Sequence, residues 1–282
     1  MKSKIKILMS KQTTDKKELR FKFGENWLNF LTHINETSIA EAQKSLISMF
    51  ETETLKGKSL VDVGSGSGLF SLAAIRLGAK VYSFDYDENS VECALELKSR
   101  YSISDIDWTI KQGSVLDEPF LKSLGKFDFV YSWGVLHHTG NMWKAIENTI
   151  DMVDNCGKSF IAIYNDQGTK SKRWRKIKKT YCSGYFGRII VKMAYFPWFF
   201  LKVMLNETVK GRNPFTVFSR YKNNRGMSVF IDWVDWLGGY PFEVAKPEEI
   251  FSFFKARGFI LDKLKTTQGL GCNEFVFSKN PA

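Results

Sequence analysis

Across residues 59–164 short apolar runs alternate with stretches whose apolar positions recur every three to four residues. Runs of the first kind, bounded by turn residues, read as buried strands, and the second kind as helices packed against them. The pattern predicts strands at 59–63, 80–85, 107–112, 127–133 and 158–164, with helices near 68–77, 88–101 and 142–153. Asp87 and Asn141 stand where helix N-caps belong, and Gly78 where a helix ends. The alternation stops after Tyr164 and resumes with a helix near 247–257 and strands near 259–266 and 274–278. Upstream, 27–50 reads as one or two amphipathic helices with Trp27, Phe30, Leu31 and Ile34 on one face. Strands alternating with helices predict an α/β fold with a mostly parallel seven-stranded sheet and helices on both faces. The chain then divides into a helical N-terminal cap (1–55), a sheet core (56–164 and 243–282) and a helical insert after the fifth strand (165–242).

Charge changes the picture of that insert. The chain of 282 residues carries a net charge of +11, yet between Asn165 and Arg225 fifteen Lys/Arg face two acids, Asp166 and Glu207, so the whole excess lies in one segment. Any anionic partner is expected there. Seven Lys/Arg fall within 170–179 around Trp174 and Ile177, and 189–205 is nearly continuous apolar sequence, broken by Lys192 and Lys202 and kinked by Pro197. Such a stretch does not suit a spanning helix. It suits a lid or dimer contact over a substrate pocket, an element lying on anionic lipid, or a nucleic-acid surface, and no RNA-binding signature accompanies Trp174. A solvated charge run alone leaves the apolar stretch unexplained.

Composition narrows the class. With 44% hydrophobic and 25% charged residues, disorder is excluded. Cys93, Cys156, Cys182 and Cys272 stand far apart with no C-x-x-C pair, so a disulfide scaffold or structural zinc site is not expected and a reducing, cytoplasmic compartment fits. The apolar run at 5–9, interrupted by Lys6, is too short for a signal-peptide core, so no export signal is expected.

The strongest local signal is Asp62-Val63-Gly64-Ser65-Gly66-Ser67-Gly68, a buried strand entering a glycine turn and then a helix. Glycines permit positive φ and close approach of a ligand to the backbone, while the helix start offers N–H donors. The dinucleotide fingerprint puts its third glycine one place later, where this chain has Leu69, which disfavours a dehydrogenase. Asp85 ends the second strand, where a carboxylate can accept both hydroxyls of a ribose.

With these residues assembled, the chain resembles the class I S-adenosylmethionine-dependent methyltransferases over 55–164 and again over 247–277. The motif Phe127-Asp128-Phe129-Val130-Tyr131-Ser132-Trp133-Gly134-Val135-Leu136-His137-His138 matches that family's fourth strand, and Phe23-Gly24-Glu25-Asn26-Trp27 is similar to the opening of members that fold a helix over the cofactor. The resemblance implies a Rossmann-like fold and S-adenosylmethionine as cofactor, leaving as S-adenosylhomocysteine. It implies that Asp62, Gly64, Ser65, Gly66 and Gly68 form the cofactor loop and that Asp85 with Tyr86 meets the ribose. Gly113, Ser114 and Val115 would flank the adenine, with Ser132, Trp133 and Trp27 completing the site. Many relatives have an acid where this chain has Ser114.

Methyl transfer needs alignment above all, and a base only where the acceptor must lose a proton. His137 and His138 follow the fourth strand at the sheet edge where α/β proteins bind ligands, and an imidazole near its ordinary pKa suits a hydroxyl acceptor. They are equally read as loop residues of a widespread Val-Leu-His-His type. Asp232, Asp235, Tyr240 and Glu243 crowd polar groups among Trp233, Trp236 and Phe242 beside the Gly238-Gly239 turn, as a pocket wall or a rigid packed turn would. No metal centre is expected from three histidines. The expected function is methylation, by preference on oxygen, of a small or medium organic acceptor such as a metabolite, sugar or quinone-like ring, with phosphate or a lipid tail as options. The rivals are an RNA methyltransferase using the basic insert and a cofactor-binding regulatory protein without catalysis. Nucleic acid is the less favoured partner, a homodimer is compatible, and the expected location is the cytoplasm or the inner membrane face.

Overall fold

Leu60, Val61 and Val63 leave β1 (Ser59–Val63) almost without exposed surface, and the strand accordingly lies inside a seven-stranded sheet. The computed structural model describes residues 19–21, 31, 34–213, 216–217 and 229–280. The other strands are β2 (Lys80–Asp85), β3 (Trp108–Gln112), β4 (Phe127–Trp133), β5 (Val153–Tyr164), β6 (Phe259–Lys265) and β7 (Cys272–Lys279), in the spatial order β3-β2-β1-β4-β5-β7-β6. The first five pair in parallel, and β7 inserts antiparallel between β5 and β6. This is the Rossmann-like, mostly parallel sheet that the alternation predicts.

Alternate residues of each strand serve opposite faces. Leu60, Phe129, Tyr131 and Phe160 pack under α1 (Glu36–Phe50), α2 (Leu69–Arg76) and α3 (Glu88–Arg100). Val61, Val130, Ile161 and Phe275 pack under α4 (Glu118–Leu124) and α5 (Met142–Asp151). Among the described residues the helices α6 (Thr169–Cys182), α7 (Tyr185–Val209) and α8 (Val229–Gly238) belong to the insert, and α9 (Pro247–Lys255) returns to the second face. The insert leaves and rejoins the sheet at one point: Ala245 N–H donates to Tyr164 O at 3.0 Å and Asp166 N–H to Ala245 O at 3.1 Å. It therefore stands over the C-terminal ends of the parallel strands.

Several boundaries differ from the sequence pattern. β5 starts at Val153 rather than 158, because Val153 pairs with Phe127 before an irregular register lets 154–157 bulge. α4 is additional; Asp117 Oδ1 accepts the Phe120 amide at 3.2 Å and Pro119 occupies the first turn, a start signal that the short segment conceals. Asn141 sits at the N-cap of α5, but the acceptor there is Glu243 Oε2, 3.1 Å from the Met142 amide. Trp27 and Phe30 lie outside the described residues.

Candidate active site

The strand order reverses between β1 and β4, and in open α/β sheets the crevice at that reversal holds the ligand. Both the glycine turn, which follows β1, and the His137-His138 pair, which follows β4, are at this point. The turn needs glycine for two reasons at Gly64: its φ is +76°, and a Cβ there would stand 2.4 Å from Val135 Cγ1. Ser65 Oγ is buried in the turn and makes no hydrogen bond among the described residues.

Two carboxylates support the turn. Asp62 is buried and accepts Ser71 Oγ–H at 2.6 Å, which ties β1 to α2. Burial pushes its carboxyl up to about 7 against that hydrogen bond, and the charge of Asp85 pushes the same way. Asp85 accepts the Gly66 amide on Oδ2 and the Asp87 amide on Oδ1, each at 2.9 Å, and burial raises it to about 6 despite both bonds. Neither acid has an ion-pair partner among the described residues. Their arrangement suits a ligand that brings positive charge and hydroxyl donors.

Beside Asp85 a cleft of about 400 Å³ is lined by Tyr86, Gln112, Gly113 and Ser114. Gln112 was not marked by the sequence; its side-chain amide donates to Tyr86 O at 3.2 Å and closes the cleft floor. Val115, expected at the cleft, turns into the core, where its carbonyl accepts from Asn148 Nδ2 at 2.8 Å. Ser132 is likewise buried, with Oγ donating to Val63 O at 3.0 Å, so it braces β1 against β4 rather than facing the cleft. Trp133 is exposed and its indole N–H donates to Glu274 at 3.1 Å. Arg20 comes from the N-terminal segment: its guanidinium lies 4.6 Å over the Tyr86 ring and its Nη2 donates to Thr139 O at 3.0 Å, bridging the β2 and β4 sides of the crevice. A lone arginine ahead of the first helix gives no sequence signal of that role.

The two histidines have different surroundings. His137 is fully buried, its ring 4.0 Å from Tyr164, and its Nδ1 accepts the Tyr164 amide at 3.4 Å. Burial holds it neutral, with its pKa far below the ordinary range. His138 is half-buried and its Nδ1–H donates to Pro241 O at 2.6 Å, since a carbonyl can only accept, which makes Nε2 the basic nitrogen. Burial lowers its pKa to about 3, and the charges of Lys178 and Arg20 add to this against the Pro241 bond. The ordinary imidazole pKa expected from sequence does not survive this environment.

Around them stands an aromatic wall built by the insert. Tyr164 contacts Phe242 at 5.1 Å and Trp236 at 6.0 Å, with Trp174 5.2 Å from Trp236. Burial keeps the Tyr164 phenol protonated, and the charges of Cys272, Asp232 and Asp235 add to the effect. Lys178, the buried member of the basic run, donates from Nζ to the Trp236 carbonyl and lies 4.1 Å over the Trp236 ring, with burial lowering it to about 7. Asp232 and Asp235 are on α8 rather than in a turn. Trp233, beside them, packs on Phe196 and Phe199 of α7, not on the sheet. Tyr240 holds the N-terminal segment, its carbonyl accepting the Phe21 amide at 2.9 Å, and Glu243 holds Met142. Asp232, Asp235, Tyr240 and Glu243 thus stand on the segments that carry the wall, while the two histidines and Tyr164 pack on one another.

Comparison with known proteins agrees with this geometry. The methyltransferase domain family matches residues 61–161, from β1 into β5. A ribosomal protein L11 methyltransferase of Helicobacter hepaticus is 42% identical over 66 residues, 23% of this chain and 20% of the relative. A ubiquinone biosynthesis O-methyltransferase of Coxiella burnetii is 28% identical over 168 residues, 56% of this chain and 66% of the relative. The chain thus spans a fifth of the first relative and just under two thirds of the second. Among solved structures, a magnesium protoporphyrin IX methyltransferase from Synechocystis with bound S-adenosylmethionine aligns with a TM-score of 0.51 at 13% identity, covering 86% of this chain and 79% of that one. The cyclase SpnF aligns with a TM-score of 0.52 at 10% identity, covering 85% of this chain and 80% of that one. At such identities these likenesses show the fold alone.

Proposed function

With residues 61–161 forming a class I S-adenosylmethionine-dependent methyltransferase domain, we propose that the protein transfers a methyl group to a hydroxyl of a small or medium organic acceptor held against Tyr164, Trp236 and Phe242. The observation that carries the reading is the meeting, at one strand reversal, of a buried and a half-buried carboxylate, neither in an ion pair among the described residues, and a histidine whose tautomer is fixed. The cofactor fits the residues present: Asp85 has lone pairs left for ribose hydroxyls, Tyr86, Gly113 and Ser114 line a cleft for a flat base, and the acids favour a cation. When bound, S-adenosylmethionine supplies an electrophilic methyl carbon.

The chain's own residues do the rest. Asp85 and the glycine turn orient, the aromatic wall excludes water and stacks a ring, and Nε2 of His138 takes the hydroxyl proton as the acceptor oxygen becomes an ether. His138 is proposed as the base, and His137 as the residue that fixes its setting. Resemblance to an O-methyltransferase of ubiquinone biosynthesis supports oxygen as the acceptor atom. The test is S-adenosylhomocysteine formation from methyl-labelled S-adenosylmethionine with catechol, phenol and sugar acceptors. An oxygen-linked label in the product is expected. A label on nitrogen or carbon would overturn the oxygen assignment, and no S-adenosylmethionine binding would overturn the whole reading.

A further inference from the structure

Beyond the proposed reaction, we infer that the α6–α7 hairpin docks the protein on an anionic lipid bilayer, with α7 lying flat in the headgroup region. The observation is a helix that is apolar on its solvent-facing side as well as on the side packed against the protein. α7 is 25 residues, about 37 Å, and its protein-facing side carries Val191, Tyr195 and Phe199, packed on Trp174 and Trp233. Its outer side is apolar: Phe186, Ile190, Met193, Pro197 and Leu201 succeed one another three or four residues apart, and Phe186, Ile190 and Met193 are 78%, 63% and 73% exposed. A surface helix of a soluble protein carries polar residues on its outer face instead. An outward apolar face of this length has to be covered by something.

Charge selects the cover. α6 pairs with α7 through a close turn, in which a Cβ on Gly187 would stand 2.1 Å from Thr180 O. On α6 Lys170, Lys172, Arg173, Lys176 and Lys179 are exposed. A second copy of the chain would bring this cationic hairpin against its own image and raise the repulsion, whereas anionic headgroups neutralise it. An apolar stripe flanked by basic residues, with exposed Tyr185 and Phe186 at the hairpin tip, is the pattern of an interfacial helix. The whole of α7 is longer than the apolar stretch at 189–205 and, against the expectation from that stretch, is long and apolar enough to cross a bilayer by length and composition. Its inner side, however, is fastened to the insert by Trp174 and Trp233, so it lies on the surface.

The experiment is vesicle flotation of the full chain with phosphatidylcholine alone and with an equimolar mixture of phosphatidylcholine and phosphatidylglycerol, at low and high salt. Adsorption is expected to the mixed vesicles only and to weaken with salt. Two variant sets separate the contributions. Ile190→Ser with Met193→Ser and Leu201→Ser, and Lys172→Glu with Arg173→Glu, Lys176→Glu and Lys179→Glu, should each cut adsorption by about tenfold or more. Calorimetry with S-adenosylhomocysteine should give wild-type affinity in both sets, which separates this inference from the proposed reaction and shows that the variants fold. Failure of the wild-type chain to adsorb at low salt overturns the inference, as does a serine set that adsorbs like wild type. A dimer in sedimentation that the serine set dissociates, without vesicle binding, would show a second copy as the cover. Binding of tRNA in place of vesicles would show a nucleic-acid surface.

Discussion

Asp85 Oδ2 accepts the Gly66 amide and Asp85 Oδ1 the Asp87 amide, both at 2.9 Å, so one carboxylate at the tip of β2 holds the glycine turn and the entry to α3 together. Before it meets any ligand this acid is already structural. A substitution there removes a ligand contact and loosens the loop that presents the others.

Asp85→Ala is expected to weaken S-adenosylhomocysteine binding by about 2 kcal/mol, or about thirtyfold in Kd, the scale of a charge-assisted hydrogen bond lost. Titration calorimetry measures it. Unchanged affinity would remove Asp85 from the cofactor site.

The raised carboxyls give a pH signature. Burial pushes Asp62 to about 7 and Asp85 to about 6, both above the range of an unfolded aspartate. Between about pH 4 and 7 the folded state therefore binds more protons than the unfolded one, and these two groups make the unliganded protein less stable as pH rises through that window. A cationic ligand favours the ionised acids. The Tm increment produced by S-adenosylmethionine should thus be larger at about pH 8 than at about pH 5.5. Equal increments at both ends would show that the acids do not meet the cation.

The histidines separate by variant and by pH. His138→Gln should lower kcat about a hundredfold with little change in KM, as loss of a general base does. His137→Gln should instead cost about 1–3 kcal/mol of stability, because a buried ring that accepts the Tyr164 amide is replaced, with kcat of the folded enzyme within about threefold. Burial holds His138 at about 3, so kcat at saturating substrates should stay flat from about pH 8 to about pH 5. A fall through about pH 6.5 would show a histidine titrating as in water.

How much of this was legible in the sequence follows from how local each signal is. Leu60-Val61-Asp62-Val63-Gly64 announces strand and turn within a few residues, and the placement of Asp85 beside Gly66 follows from parallel pairing of β1 with β2. The choice between His137 and His138 was not legible, because it depends on Pro241, more than a hundred residues away, accepting from one ring and not the other. Lys178 looked like one charge among seven. The packing of Trp236 and Phe242 over it shows that Lys178 belongs to the buried side of α6, with Ser171 and Tyr181. Val115 and Ser132 lie inside matching motifs, yet strand alternation turns Ser132 inward and the turn before α4 buries Val115.

Gly64 offers a test of the turn that is independent of activity. Its φ of +76° costs an L-residue about 1 kcal/mol, and a Cβ at 2.4 Å from Val135 Cγ1 adds an overpacking cost of about 1–3 kcal/mol. Gly64→Ala should lower Tm accordingly, and Val135→Ala in the same chain should recover the packing part only. Full recovery would mean that the backbone relaxes out of the left-handed region; no loss at all would mean that the turn is not held as described.

Arg20 carries the last expectation. It reaches from the N-terminal segment across the crevice, stacked on Tyr86 at 4.6 Å and bonded to Thr139 O at 3.0 Å, so it joins the two sides between which the cofactor is proposed to sit. Phe21, next to it, is fastened independently through its amide to Tyr240 O at 2.9 Å, so the segment stays in place when the guanidinium is removed. A cation–π contact of about 0.5–1 kcal/mol and a charged hydrogen bond of about 1.5 kcal/mol are lost in Arg20→Ala, but only a bound ligand has to escape past them. The effect should therefore appear as a faster S-adenosylhomocysteine release, by about tenfold in stopped flow, together with a Tm of the free protein lowered by a few degrees, because both contacts are also made without ligand. Arg20→Lys keeps the charge and loses the planar stack, and should recover part of the residence time. A release rate unchanged in Arg20→Ala would show that the arginine does not close the crevice.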